Sequence, residues 1–473
     1  MAGERAGASA QELTERALAA SRTDECVVIA REFSAANLRW AGNTLTTNGV
    51  ESSRRLTVIA IIREPGGASA GVVSATVTGP GQVAGVVELA ERAAGQCPPA
   101  ADAEPLPRPA ELAGAGPGAG AGWDEPPAET GIGVLGRVAR ELGGAFEAAA
   151  GQRQLYGYAE HTMTTSYLGT SAGLRLRHVQ PAGSFELTAK GAAPGASAWA
   201  ATTTRDFTDV DVTGMADGLA QRLGWARRRV ELPPGRYETL LPPTAVADLM
   251  ICVSGALGAR DTLDGRTVFS RPGGGTALGE RLADLELSLR SDPGQPEVAC
   301  APFVLTHSSD RMQSVFDNGQ PLAATEWISG GTLAALVQTR HSAAQASMPL
   351  TPSIDNLILD VPLGTVPLPE MIAQTSRGLL LTSLYYVREV DSQTLLATGL
   401  TRDGVYLIEN GEVTGAVNNF RFNESPAAML ARTTQAGPAE RTLAREFGEY
   451  VPRTVMAPLR VEGFHMSSVS QAT

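Results

Sequence analysis

QLYGYAEHTMTTSYLGTSAGLRLRHVQPAGSFELTAKGAAPGASAWAAT, residues 154–202, is the stretch that decides the fold class. Its segments YGYAEH, TTSYLG, GLRLRHV, GSFELTA and ASAWAAT are separated by small, turn-forming residues, and apolar and polar side chains alternate through residues 174–179. A period of two places successive side chains on opposite faces of a strand, so this region predicts antiparallel strands joined by short turns.

Helical periodicity flanks that run on both sides. Residues 133–150 carry Leu135, Val138, Leu142 and Phe146 on one stripe, and residues 215–229 read as a further amphipathic helix. Closer to the start, a helix is predicted over 11–20 and strands over 26–31, 37–40 and 55–62, with turns at 41–43 and at Asn48-Gly49. A strand over 71–77 and a helix over 81–94 complete an N-terminal mixed α/β domain, placed at 1–231. Between about 98 and 131 the composition shifts to glycine, alanine and proline, which reads as a flexible excursion. Its glycines lack the G-x-G-x-x-G register and no apolar strand precedes them, so no dinucleotide loop is expected.

The second half opens with a strand over 236–241 and a helix over 244–257. Strands then dominate, at 303–305, 355–359, 378–387, 394–398, 404–409, 415–423 and 456–461. Asn410-Gly411 is a two-residue hairpin signal. The chain is therefore expected to be α+β, with a C-terminal domain over 232–473 built on a large, mainly antiparallel sheet.

Composition removes several classes. With 38 basic against 50 acidic residues the net charge is −12, the wrong sign for neutralising phosphates, so no nucleic-acid partner is expected. Arg227-Arg228-Arg229 reads as a helix C-terminus complementing its dipole. No uncharged apolar run approaches the length of a membrane span, and the first residues lack a signal-peptide apolar region. Cys26, Cys97, Cys252 and Cys300 lie far apart without C-x-x-C spacing, as expected of reduced thiols. These features predict a cytoplasmic protein with no membrane partner, in which the sequon at Asn423-Glu424-Ser425 has no role.

The chemistry-bearing residues are sparse. His161, His178, His307, His341 and His465 are not spaced as metal ligands, and Glu160-His161 lacks the second histidine that a metal helix needs. GTSAG at 169–173 matches the nucleophile pattern G-x-S-x-G, but an alternating strand follows where that motif requires a helix, so a hairpin turn is expected. GGGT at 273–276 lacks the lysine of a phosphate loop. Asp261, Asp264, Asp317, Asp355, Asp391 and Asp403 sit near turns, where aspartate bonds to backbone. Residue chemistry alone declares no activity.

Eight segments carry a resemblance. They are NTLTTNG (43–49), YLGTSAG (167–173), LPPGRYETLLPPTAV (232–246), DGRTVFS (264–270), FDNG (316–319), GVYLIENGE (404–412), AVNNFRFNESP (416–426) and MAPLRVEG (456–463). In order and spacing the chain resembles the TldD/PmbA (TldE) family of modulator-of-gyrase proteins. The resemblance implies a heterodimeric zinc metalloprotease acting on unfolded peptides or a peptide-like metabolite. In that arrangement the TldD-type subunit holds the metal through His-Glu-x-x-x-His and a later cysteine, and the glutamate acts as general base on the metal-bound water. The helix expected to carry the motif here is LMICVSGALG (249–258), which contains neither histidine nor glutamate, and no cysteine follows Cys300. The resemblance thus implies the TldE/PmbA-like, non-metal subunit. No catalytic residue transfers to it, no metal is expected in this chain, and zinc is expected on a TldD-like partner.

The late strands carry the peptide-binding candidates. Alternation puts Asn419, Arg421 and Asn423 on one face and Phe420 and Phe422 on the other, and Asn418 and Glu424 flank them. These five polar residues (Asn418, Asn419, Arg421, Asn423, Glu424) could read peptide backbone. Two other readings stay open: a stand-alone amide hydrolase without metal, and a non-catalytic peptide-binding scaffold.

Overall fold

The computed structural model describes residues 8–112, 122–192 and 195–471. The first seven residues and the centre of the Gly/Pro-rich excursion (113–121) lie outside the described residues. Six antiparallel strands form the N-terminal sheet in the order β3-β2-β1-β4-β5-β6. Their bounds are β1 Glu25–Trp40, β2 Leu45–Glu64, β3 Gly67–Thr76, β4 Arg153–Thr170, β5 Arg175–Gly191 and β6 Ser197–Thr204. Four helices accompany it, α1 Ala10–Ala20, α2 Val83–Ala94, α3 Gly136–Ala149 and α4 Val212–Trp225.

All four helices cover the same sheet face. The even-numbered residues of β1 show how. Cys26, Val28 and Ala30 pack against α1 and α2, whereas Ala36, Leu38 and Trp40 pack against α3 and α4. On α2 the stripe Val83, Val86, Val87 and Ala90 is buried; each valine contributes about 2 kcal/mol. Between the two helix pairs β1 carries Glu32 and Ser34. The first is ion-paired with Arg54, and the second accepts the Thr130 N–H at 2.9 Å. Those polar residues interrupt the apolar pattern, which is why sequence reading split one 16-residue strand into 26–31 and 37–40. Asn48-Gly49 is likewise no turn, but sits inside β2 opposite Leu38 and Asn37. The hairpin is closed by Gly42 and Asn43, both with positive φ, as the 41–43 reading expects.

The GTSAG stretch is the β4–β5 turn. Ser171 Oγ accepts the Cys26 N–H at 2.9 Å, a structural task. In the C-terminal half a ten-stranded, mainly antiparallel sheet contains strands Gly235–Leu241, Arg377–Leu381, Val405–Glu409, Phe420–Glu424 and Leu459–Val469. A second six-stranded sheet includes Ser288–Ser291, Leu357–Asp360 and Thr454–Met456. Helix α5, Pro243–Gly255, lies in the core between them. Val246, Leu249, Met250 and Val253 cluster with Leu379 and Leu381 of the larger sheet and Leu289, Leu359 and Met456 of the smaller. The chain is therefore α+β. The region 303–305 makes only an isolated bridge, Phe303 to Pro321, and 378–387 and 415–423 each divide into two strands.

β3 approaches α2 so closely that only glycine fits at position 71. A Cβ there would stand 2.1 Å from Ala94 N and 2.2 Å from Ala90 O, both immovable helix backbone. Gly71→Val is expected to push α2 off the sheet and to cost about 3 kcal/mol, read as a lower urea midpoint. An unchanged midpoint would show that α2 is not held at this contact.

Candidate functional site

The helix-free face of the N-terminal sheet changes character along its length. One row, Ile29–Leu168–Leu176 across β1, β4 and β5, is apolar and packs with Phe303 and Phe316 of the C-terminal half. Two residues further along, the register aligns Arg31, Ser166 and His178, then Thr164 with Gln180, Thr162 with Ala182, Glu160 with Ser184, and Tyr158 with Glu186. Directly opposite residues share a face, so these polar rows form one continuous surface. They line two adjoining cavities of about 1220 and 610 Å³, and Gln180 reaches the C-terminal half by donating to the Ala299 carbonyl at 3.1 Å. Both cavities are bounded by Thr162, His178, Gln180, Tyr450, Pro452 and Arg453.

The far wall of the larger cavity is the segment 443–453. A fully buried carboxylate, Asp248 on α5, secures it by accepting the backbone N–H groups of Arg445, Glu446 and Phe447 at 3.3, 3.0 and 3.1 Å. Arg445 then crosses the cleft. Its guanidinium donates to Asp403 at 2.6 Å and to Ser383 Oγ at 2.9 Å and lies 5.1 Å from the ring centre of Trp199 on β6. Asp403 also accepts the Ser197 hydroxyl, so one carboxylate ties the N-terminal sheet to this wall. Glu446 is held by Arg388 at 2.5 Å and by the Tyr386 N–H at 2.9 Å.

Few groups in the cleft are suited to bond-breaking. Burial pulls His178 below its ordinary value and leaves a neutral ring, whose Nε2 lies 3.0 Å from Gln180 Oε1 rather than on a serine. Burial, followed by the adjacent Glu160, pushes the Tyr158 hydroxyl up to about 12, and it donates to Glu160 at 2.5 Å. His161 points through the other face, between Thr130 Oγ1 at 2.6 Å and the Arg205 carbonyl at 2.9 Å, so Glu160-His161 is not a functional pair. What remains is a trough of hydroxyls and amides, whose opposing wall carries the ion pairs of Arg388, Arg445 and Arg453.

Around α5 the donors do not suit zinc. Asp248 is occupied by three amides, and burial pushes the Cys252 thiol up to about 12. Among the described residues no three His, Cys, Asp or Glu side chains converge as a metal site.

The late-strand candidates lie elsewhere, and none borders either cavity. Arg421 is exposed and Asn423 half-buried, alternating with buried Phe420 and Phe422 as the sequence predicts. Asn418 Oδ1 accepts the Leu232 N–H at 2.7 Å, and the Asn419 carbonyl accepts the Ser470 N–H at 2.8 Å. Glu424 is buried and accepts from Arg432 at 2.6 Å and the His465 N–H at 3.2 Å, which is a packing role. The cleft residues that sequence reading missed had one signal, the small hydroxyls Thr162, Thr164 and Ser166 at every second position of a strand.

A two-part α+β chain with a wide cleft along one sheet defines a class, and comparison supplies the family. Residues 234–468 match the family described as the PmbA/TldA metallopeptidase C-terminal domain. Through that domain the chain belongs to the TldD/PmbA family. TldE from Thermococcus kodakarensis superposes with a TM-score of 0.75 at 16% identity, over 97% of this chain and 99% of that one. A proposed modulator of a DNA gyrase from Thermotoga maritima gives 0.74 at 16% identity over 96% and 99%. Another, from Bacteroides thetaiotaomicron, gives 0.76 at 14% identity over 97% and 98%. These identities speak to the fold alone. No curated protein matches in sequence. No helix among the described residues is long and apolar enough to cross a membrane.

Asp248 makes the wall sensitive to pH. Burial outweighs its three amide donors and raises the carboxyl from 3.8 to about 7. A raised acid binds its proton more tightly in the folded chain, so this group lowers stability as pH climbs toward 7 and adds no slope above it. Asp248→Asn is expected to flatten that slope in urea titrations at a series of pH values. Asp248→Ala should cost about 3 kcal/mol and speed amide exchange at 445–447. A slope that survives in Asp248→Asn would assign it to another group.

Proposed function

We propose that this chain is the non-metal subunit of a TldD/TldE-type heterodimeric zinc metalloprotease that processes unfolded peptides or a peptide-like metabolite. One observation carries the reading. The chain adopts the TldE fold over nearly its whole length, yet the helix at the expected metal position has its only carboxylate, Asp248, committed to holding the cleft wall. Metal and general base would then come from a TldD-like partner carrying His-Glu-x-x-x-His. There zinc would polarise the scissile carbonyl and activate water.

This chain's share is binding and orientation. Its trough presents hydroxyl and amide groups along β4 and β5 at strand spacing, a pattern suited to an extended backbone. Arg445, stacked on Trp199, keeps the opposing wall at a fixed distance.

The test is co-expression with a TldD-like chain. Zinc analysis and cleavage of an unfolded substrate such as casein are expected to be positive for the pair and negative for this chain alone. Stoichiometric zinc and cleavage by the isolated chain would overturn the proposal. A pair that binds peptide but never cuts it, even with zinc, would favour the scaffold reading.

A further inference from the structure

The smaller cavity holds an electrostatic arrangement that folding does not explain. Arg31 on β1 and Arg55 on β2 are direct cross-strand partners, so both side chains leave the same sheet face. Like charges directly opposite each other repel and lower stability. Among the described residues neither guanidinium has a carboxylate within salt-bridge distance, although Arg31 is half-buried and borders the cavity. The cavity's own carboxylates are already taken. Asp317 is bound by Arg340 at 2.7 Å, and Asp355 is paired with Arg453, which also donates to the Asp355 carbonyl at 2.7 Å.

The neighbours of Arg31 are receptive to an anion. Ser166 stands opposite it on β4, and His178 opposite Ser166 on β5. Burial, with Arg31 and Arg55 nearby, pulls His307 below its ordinary value, while burial with Arg453 and Arg177 nearby lowers His178, so both rings are neutral near pH 7. The charged residues lining this cavity are Arg31 and Arg453 against Asp317 and Asp355; both carboxylates are ion-paired with other arginines, so Asp355 attracts Arg31 only from beyond salt-bridge distance, and the exposed Arg55 beside Arg31 opposes it. An unpaired, half-buried guanidinium beside hydroxyls is a geometry that takes a carboxylate, bidentately and with charge assistance.

We propose that the Arg31–Arg55 corner binds the terminal carboxylate of a peptide lying in the cleft, so that this subunit recognises a free C-terminus. The assignment deepens the peptide-processing reading and rests on it. The trough that would hold the peptide backbone, at Thr162, Thr164 and Gln180, runs directly into this corner, which places the end of an extended chain at Arg31.

The experiment uses the full chain, alone and with its TldD-like partner, and an N-terminally fluorescein-labelled ten-residue Gly/Ala/Ser peptide. It is compared as free acid, as C-terminal amide, and as an amide with one internal Asp. By anisotropy the free acid is expected to bind about tenfold more tightly than either amide. The difference should vanish in Arg31→Gln, be partly restored in Arg31→Lys, and shrink with salt. Arg31→Gln is also expected to leave the thermal midpoint unchanged or raised, because it removes a repulsion. A lowered midpoint would mark Arg31 as structural and overturn the assignment. Equal binding of acid and amide would overturn the carboxylate site while leaving peptide binding intact. Preference for the internal Asp peptide would overturn the C-terminal assignment. Failure of all three peptides with chain and pair would overturn both the site and the peptide reading.

Discussion

The cleft depends on one docking contact. Leu168 and Leu176 project from the helix-free face of the N-terminal sheet and pack with Phe303 and Phe316 of the C-terminal half. Dense apolar packing of this kind leaves little freedom in how two layers meet. The next rows of the same strands carry Ser166, Thr164 and Thr162, which line the smaller cavity. The two halves therefore pack tightly at one end of the sheet and enclose the cleft beyond it, with Ser197–Asp403 and Trp199–Arg445 bridging them again at β6. A hydrophobic row beside polar rows builds both the hinge line and the open space.

The opposite wall is positioned electrostatically. Asp248, Asp403 and Glu446 each hold the segment 443–453 by a different route, through backbone amides, through Arg445 and through Arg388. A partly buried ion pair such as Arg445–Asp403 contributes more to geometry than to net stability, since desolvation offsets much of its attraction. The same reasoning separates Arg31 from the other cleft cations. Arg445, Arg388 and Arg453 have internal partners, whereas Arg31 faces Arg55.

Much of the fold was legible in the sequence because it rests on local periodicity. Leu135, Val138 and Leu142 mark α3, and Leu174 to Val179 marks β5, whatever surrounds them. Glu32 and Ser34 were harder, because their partners Arg54 and Thr130 are 22 and 96 residues away, and so β1 was read as two strands. The site was less legible still. Alternation placed Arg421 and Asn423 correctly on the outward face of their strand, but periodicity cannot say whether a polar face meets solvent, a cavity or another sheet. Arg31, Ser166 and His178 lie far apart in the chain and become neighbours only through strand register. Family membership rests on the C-terminal region, where the motifs and the matched domain coincide.

The central claim is that the helix-free face of β4 and β5 receives the peptide, and hydrogen exchange on the assembled pair tests it most directly. With an unfolded peptide bound, the account predicts slower amide exchange at 160–166, 178–184 and 445–453, with 418–424 unchanged. Protection confined to 418–424, with the β4 and β5 amides unaffected, would contradict it.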